Sequence, residues 1–511
     1  MRAKSILLLA LLALGPTMAQ AQAPNPTESV RAALNSNEIE RQRAALVLLP
    51  ELGLRGERAW EATKAVTDFL NKSQDEENKA LALVAIGKLT PSSEVSSNVL
   101  QKFLSDPSLK VRRAAGAMLT ELLAGLARDF GKPLIITSGN PGSVSALAGS
   151  AGSSIWMKKW LAATVKEEPG WARFNDDTQI LLPYCAIALT DQDDEIKQSG
   201  AEGIRIIARA IADVLPDPNS GNAESRVVDP FESKVKWLLL QPCFESLNSA
   251  APLLSQGISS ANAVTRSRSV RAAEAILQAR ALALATRQYP PEDFAELTTV
   301  NYPVDALKPA AMSVLPAVAT RLSDESTELQ LAAIESLEHQ QSAALPYLKQ
   351  ILNASTHEDL FVRWVATRTL GRLLSFASPR QVPAIVSAIA VRLGDSDLDV
   401  RGAALTAIAK AGSNGRPATR ALLDIAVKDD PNQRVQAIRT LPSIDAEREA
   451  TLIAMGGILA AAPDNVQRAA LSYLASLGAA ARPTVNQIRP LLLDDDADVR
   501  KEAARAILAI E

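Results

Sequence analysis

The chain has 511 residues, 54 basic and 57 acidic, for a formal net charge of −3, and it is 47% hydrophobic but only 4% aromatic. That apolar content excludes a wholly disordered chain, and the acidic balance argues against a general nucleic-acid binder, which needs a net basic surface. At roughly 100–200 residues per globular domain the length implies several domains, unless the core grows in one dimension as it does in repeat arrays.

From the start of the chain, Arg2 and Lys4 precede an apolar run from Ile6 to Leu14, and Ala19-Gln20-Ala21 closes it with two small residues around a polar one. This pattern predicts a secretory signal peptide over residues 1–21, with an apolar run too short to span a bilayer. Without Arg2 and Lys4 the net charge moves from −3 to −5. The remainder is expected to be exported to a bacterial periplasm or secreted, with no transmembrane segment after cleavage and no cysteine at the junction to carry a lipid.

Residues 24–127 contain three faint copies of one nine-residue helical pattern, Glu40–Leu48, Asn78–Ile86 and Val111–Leu119. The rhythm is then lost. Residues 128–178 form an insertion whose first part, 131–154, is rich in Gly and Ser, which disfavour a helix. Trp156, Trp160 and Trp171 follow it. Two readings are open for them: they fill imperfect repeat packing, or they anchor a partner, since Trp is enriched at binding hot spots.

Residues 179–304 read as irregular repeats, with a copy at Ile196–Ile204, a doubtful one at Arg268–Ile276 and a Pro-rich insertion at 213–230. Arg266, Arg268, Arg271, Arg280 and Arg287 make the one Arg-rich stretch, either a solvated helix face or a surface for an acidic partner. Cys185 and Cys243 leave two alternatives, one disulfide in an oxidising compartment or two small buried hydrophobes.

Residues 305–511 are regular. Copies begin at Leu329, Val362, Val400, Gln433, Val466 and Val499, separated by 33, 38, 33, 33 and 33 residues. Within each, apolar residues stand at the start, four on and eight on, as in Val400, Ala404 and Ile408, which places them on one helix face. The middle residue is small (Ala333, Ala366, Ala404, Ala470, Ala503), so a neighbouring helix can approach closely. A second apolar helix precedes each copy, for example Ala418–Val427 after Pro417 and Thr484–Leu493 after Pro483, with proline suited to a first helical turn. The predicted unit is a pair of antiparallel helices whose apolar face is buried only by the next pair.

Ankyrin repeats share the period but need a Thr-Pro-Leu-His turn, and tetratricopeptide repeats need recurring large aromatics, so two histidines and 4% aromatics exclude both. An acid stands six residues before a base at Asp106 and Arg112, Asp191 and Lys197, Asp395 and Arg401, and Asp494 and Arg500. With this feature the repeat resembles the HEAT family, in the short bacterial form also known from phycobilisome-lyase-type repeats. The resemblance implies an all-α fold, a right-handed α-solenoid of stacked antiparallel helix pairs of the HEAT/armadillo type. It also implies an Asp/Arg ladder stitching consecutive repeats. Physically, an Asp before a helix can cap free N–H groups while a guanidinium reaches a neighbouring acceptor. Asp324 with Gln330, His357 with Arg363 and Ala461 with Gln467 depart from the pattern, and the ladder is expected to break there.

No catalytic signature emerges. There is no Gly-x-Ser-x-Gly elbow, and the stretch from Gly125 to Lys132 fails the phosphate-loop spacing, with Pro133 where Ser or Thr would be needed. His339 and His357 are too few to hold a metal; one His-Glu dipeptide, His357-Glu358, does not make the chain similar to deoxyhypusine hydroxylase. Acidic clusters such as Asp193-Asp194, Asp429-Asp430 and Asp494-Asp495-Asp496 stand before helices, where the dipole favours them.

The expected function is therefore that of a non-enzymatic scaffold, without cofactor, metal or nucleic acid. It would bind a protein or peptide on the concave face lined by each second helix, with Arg372, Thr406, Lys410, Ser472 and Arg505 among the outward positions. Two alternatives stand beside it: an accessory or lyase-like chaperone handling a small ligand or prosthetic group in the 128–305 region, and a self-associating envelope scaffold.

Overall fold

A computed structural model describes residues 26–89, 92–130, 169–215, 236–288 and 304–511, and every regular element among them is a helix. The signal-peptide segment, the 131–154 insertion, Trp156, Trp160 and nearly all of the 213–230 insertion lie outside the described residues. Two compact units are present, Met1–Val314 and Leu315–Glu511.

In unit 1 the helices alternate between two layers. The first layer holds α1 (Pro26–Leu34), α3 (Glu57–Lys72), α5 (Ser93–Phe103), α7 (Pro169–Leu189), α9 (Gln241–Ala250) and the short α10 (Leu254–Ile258). Each first helix is followed by a second: α2 (Ile39–Leu48), α4 (Glu76–Leu89), α6 (Leu109–Phe130), α8 (Asp194–Val214) and α11 (Ala263–Gln288). The second helices pack side by side in chain order, α2 on α4, α4 on α6, α6 on α8 and α8 on α11. The division between the units falls inside α12 (Lys308–Thr320).

Unit 2 repeats the arrangement. Its first helices are α14 (Leu348–Ala354), α16 (Val382–Arg392), α18 (Thr419–Lys428), α20 (Arg448–Ala461) and α22 (Val485–Ile488). Its second helices are α13 (Thr327–Glu338), α15 (Leu360–Leu373), α17 (Leu398–Ala409), α19 (Pro431–Thr440), α21 (Asp464–Leu477) and α23 (Ala497–Ile510), again packed in series. This is an all-α helical repeat of stacked antiparallel pairs.

The small central residue explains the stacking. Ala333, Ala366, Ala404, Ala470 and Ala503 are completely buried, as is Ala437 in the copy that begins at Gln433. Close approach requires glycine at Gly371 on α15, where an added Cβ would lie 2.5 Å from that of Ala407 on α17. No side chain fits there without separating the helices.

Two expectations about the first helices need correction. Pro417 and Pro483 lie inside 3-10 turns, Gly412–Ala418 and Gly478–Thr484, rather than in the first turn of an α-helix. The helix expected over Thr484–Leu493 is α only from Val485 to Ile488 and continues as 3-10 through Arg489–Leu493, because Pro490 lacks the N–H that an α-helix would use. Three of the 3-10 turns share one start: Gln341, Gly412 and Gly478 all have positive φ, of 53°, 56° and 54°.

Register also differs at two faint copies. The Glu40 copy leaves Ala44 exposed, while Ala45, Leu46 and Leu49 are buried. The copy starts at Gln42, whose Oε1 accepts from Asn78 Nδ2 at the matching position of the next repeat, 2.9 Å away. The Arg268 copy starts instead at Thr265, since Arg268 is exposed and Arg266 makes the contacts of the repeat's basic residue. Cys185 and Cys243 are both free and buried, and burial pushes both thiols well above their ordinary pKa.

Candidate functional site

The acid and base of each pair do not meet through their charged ends. Arg112 donates to the backbone carbonyl of Asp106 at 3.0 Å and to that of Pro107 at 3.2 Å. Arg401 does the same to Asp395 and Ser396, at 2.7 and 3.2 Å, and Arg500 to Asp494 and Asp495, at 2.6 and 3.0 Å. Lys197 donates to the Gln192 carbonyl at 3.3 Å and lies 3.8 Å from the Asp194 carboxylate. These carbonyls lie in the turn between the helices of a pair, where no helical N–H serves them.

The carboxylates face the other way. One oxygen of Asp106, Asp191, Asp395 and Asp494 accepts from the N–H two residues on. The other is free to meet the base of the preceding repeat. Lys79 reaches Asp106 at 3.4 Å, Arg112 reaches Asp191 at 3.0 Å, and Arg363 grips Asp395 with two bonds of 2.9 and 3.0 Å. Arg401 continues to Asp429 at 2.7 Å. The helix caps themselves stand two residues after the ladder acids, at Asp193, Asp397 and Asp496.

Because the local contact needs only a carbonyl, two expected breaks are not breaks within the repeat. Gln330 Nε2 donates to Asp324 O at 2.6 Å, and Arg363 donates to the His357 and Glu358 carbonyls at 2.9 and 2.7 Å. At Gln467 the pattern does change, since its amide reaches back to Leu459 O. Burial pushes the Asp395 carboxyl up, but the Arg363 guanidinium, the Asp397 N–H and Arg392 together hold it below its ordinary value. Asp193 is also lowered, first by hydrogen bonds from Arg113.

This ladder stabilises the array and leaves the outward face of the second helices available. On that face α15, α17 and α19 enclose a cleft of about 550 Å³. Gly371, Gly402, Ala403 and Ala407 line it with short side chains, which is why space remains between the helices. On one wall the Arg368 guanidinium lies 4.4 Å from the centre of the Trp364 ring, a cation–π contact. Arg368 is held there by Glu338, a buried carboxylate that accepts from it at 2.5 and 2.6 Å and from Arg372 at 3.0 Å. On the opposite wall Gln436 donates to Thr406 at 3.0 Å, and Gln433 donates to the Leu398 carbonyl at 2.6 Å. Lys410, Asp399, Asp430 and Asn432 complete the lining. An aromatic face, small apolar positions and groups that both donate and accept hydrogen bonds suit recognition of a polypeptide segment.

Of the outward positions read from sequence, Thr406 and Lys410 line this cleft, Ser472 is exposed, Arg372 is tied to Glu338, and Arg505 pairs with Glu502 at 2.5 Å. Trp171 is not a surface anchor. It is 3% exposed and packs edge-on against Phe130 at 4.4 Å, with Phe130 stacked on Phe174 at 3.8 Å. Sequence reasoning passed over Trp364, although its place two residues after Val362 puts it off the buried stripe. In unit 1 a larger hollow of about 1040 Å³ around Trp60 lies beside the first helices α3 and α5.

Among the described residues no helix is long and apolar enough to cross a membrane, and no three His, Cys, Asp or Glu are placed to hold a metal. No family model and no curated protein matches the chain. Solved structures similar to it include an engineered protein at 18% identity, covering 95% of this chain and 99% of that one with a TM-score of 0.43. A designed armadillo repeat protein in complex with a (KR)4 peptide is 14% identical over 65% of this chain and 99% of its own, with a TM-score of 0.30. Kap95p, solved with RanGDP, is 14% identical over the whole of this chain and 67% of its own, with a TM-score of 0.40.

Proposed function

We propose that the protein is an exported, non-enzymatic scaffold of the short bacterial HEAT-like type that binds a protein or peptide partner along the outward face of its second helices. The observation that carries this reading is the cleft over α15, α17 and α19. Beside the stacking residues Gly371 and Ala407 it presents side chains that carry no stacking role, Trp364, Thr406 and Lys410, and its Trp364–Arg368 wall is held in place by buried Glu338. Prepositioned aromatic and guanidinium groups lose little freedom on binding, which is how hot spots contribute affinity. The test is cross-linking capture of the tagged protein in its native envelope, comparing wild type with Trp364→Ala and Lys410→Glu. The reading expects adducts lost in both variants with little change in melting temperature. Full retention in both would sink it.

A second reading, self-association, is favoured by Leu493 and Leu508, 88% and 84% exposed on the last pair. Mass that rises with concentration in light scattering, and falls back in Leu508→Glu, would select it.

A further inference from the structure

The Arg-rich stretch separates into residues with different roles. Arg266 donates to the Ser260 and Ala261 carbonyls at 2.9 and 3.3 Å and is the basic residue of its repeat. Arg280 is buried and grips Asp305 through bonds of 3.0 and 2.5 Å. The side chain of Arg287 lies outside the described set. Arg268 and Arg271 instead face a cleft of about 360 Å³ between α8 and α11, where Arg205 and Arg209 of α8 join them. Glu202 and Glu274 are the acids of the lining, and Ser267, Ala275 and Gln278 complete it. With Asp213 beside Arg209, four guanidinium groups meet three carboxylates, which leaves one positive charge in local excess inside a chain whose net charge is negative.

The arginines are not equally engaged. Arg205 pairs with Glu202 at 2.5 Å, Arg271 with Glu274 at 2.9 Å, and Arg209 meets Asp213 at 3.1 Å and Gln278 at 2.9 Å. Arg268 is exposed and pairs with no acid among the described residues. Its neighbours are thus fixed by their own partners, while Arg268 has its donors available to an incoming carboxylate in a bidentate pair.

We infer that this cleft in unit 1 receives an acidic, Asp/Glu-bearing segment of a partner protein. The mixed lining selects that occupant over a polyphosphate or nucleic-acid strand. Glu202 and Glu274 can accept from the backbone N–H groups that an extended peptide brings between its arginine-seeking carboxylates and that a phosphate strand does not carry along its backbone. The net negative charge of the chain also disfavours a long polyanion while tolerating a short acidic segment. The site is separate from the cleft of unit 2 and does not depend on it.

The test uses the full chain and a fluorescein-labelled oligoglutamate peptide, read by fluorescence anisotropy. Wild type should bind, with affinity falling as salt rises. Arg268→Glu should weaken binding about tenfold or more, and Arg268→Gln by a smaller factor, with the melting curve unchanged because Arg268 supports no internal pair. Lys410→Glu, in unit 2, should leave binding unaltered. The inference is overturned if the peptide does not bind, if both Arg268 variants bind as wild type does, or if Lys410→Glu weakens binding as much. Tighter binding of a single-stranded oligonucleotide of equal charge would likewise overturn the choice of occupant.

Discussion

The two units use one local rule at different helix lengths. In unit 1 the second helices α6, α8 and α11 run to 22, 21 and 26 residues, whereas α15, α17, α19, α21 and α23 in unit 2 have 10 to 14. Similar short lengths keep the repeat spacing nearly constant, which is what a period detects. Variable length destroys the period and leaves the chemistry intact: Arg112 and Arg266 contact turn carbonyls in unit 1 as Arg363 and Arg401 do in unit 2. Spacing and side-chain chemistry are therefore separate signals of the same repeat.

The largest effect expected is at the ladder of unit 2. Arg363→Ala strips a buried carboxylate of both its bidentate bonds, and breaking such a pair costs about 3–5 kcal/mol. Its denaturation midpoint should fall accordingly; an unchanged midpoint would mean that Asp395 is served by Arg392 alone. Arg401→Ala should cost somewhat less, since both its side chain and that of Asp429 are partly solvated.

Stacking comes next. Ala404→Leu in unit 2 should destabilise by roughly 1–3 kcal/mol through overpacking. In unit 1 one methyl should suffice, because Gly200→Ala sets a Cβ 2.6 Å from the Cys185 carbonyl oxygen. A neutral Gly200→Ala would show that the long helices of unit 1 tolerate adjustments that unit 2 does not.

Acid should loosen both units. Asp193 and Asp395 titrate below the usual aspartate value of 3.8 when folded, so the stability they add is complete above that value and lost as pH falls below it. Urea midpoints followed by circular dichroism should decline over that range, and more shallowly in Asp193→Asn and Asp395→Asn. Parallel declines in variant and wild type would contradict the assignment.

The smallest effect is a gain. Gln341 has the positive φ that Gly412 and Gly478 have at equivalent turns. Gln341→Gly should raise stability by about 0.5–1 kcal/mol by removing Cβ strain. A loss would mean that the side chain of Gln341 contributes more than its backbone costs.

How much of this was legible in the sequence follows from the same contrast. Helix pairs and the small central residue could be read wherever helix length was nearly constant. The Glu40 copy was misplaced by two residues because α2 carries apolar side chains on several faces, with Val47 56% exposed, so apolar spacing did not single out the buried one. The Thr265 copy was misread because Ser260 replaces the usual acid, although the contact needs only its carbonyl. Lys410 and Thr406 could be named as outward residues from their place on the helix. The cleft could not, since it depends on Gly371 drawing α15 onto α17 and on Glu338, which meets Arg368 from 30 residues away in sequence.

The central claim is that partners engage the second-helix face. It is tested most directly by placing a photo-cross-linking residue at Thr406 on α17 or at exposed Arg420 on α18, a first helix, and irradiating cells that express each protein. The account predicts a discrete partner adduct from position 406 and little or none from position 420. Adducts from position 420 alone, or equally from both, would contradict it.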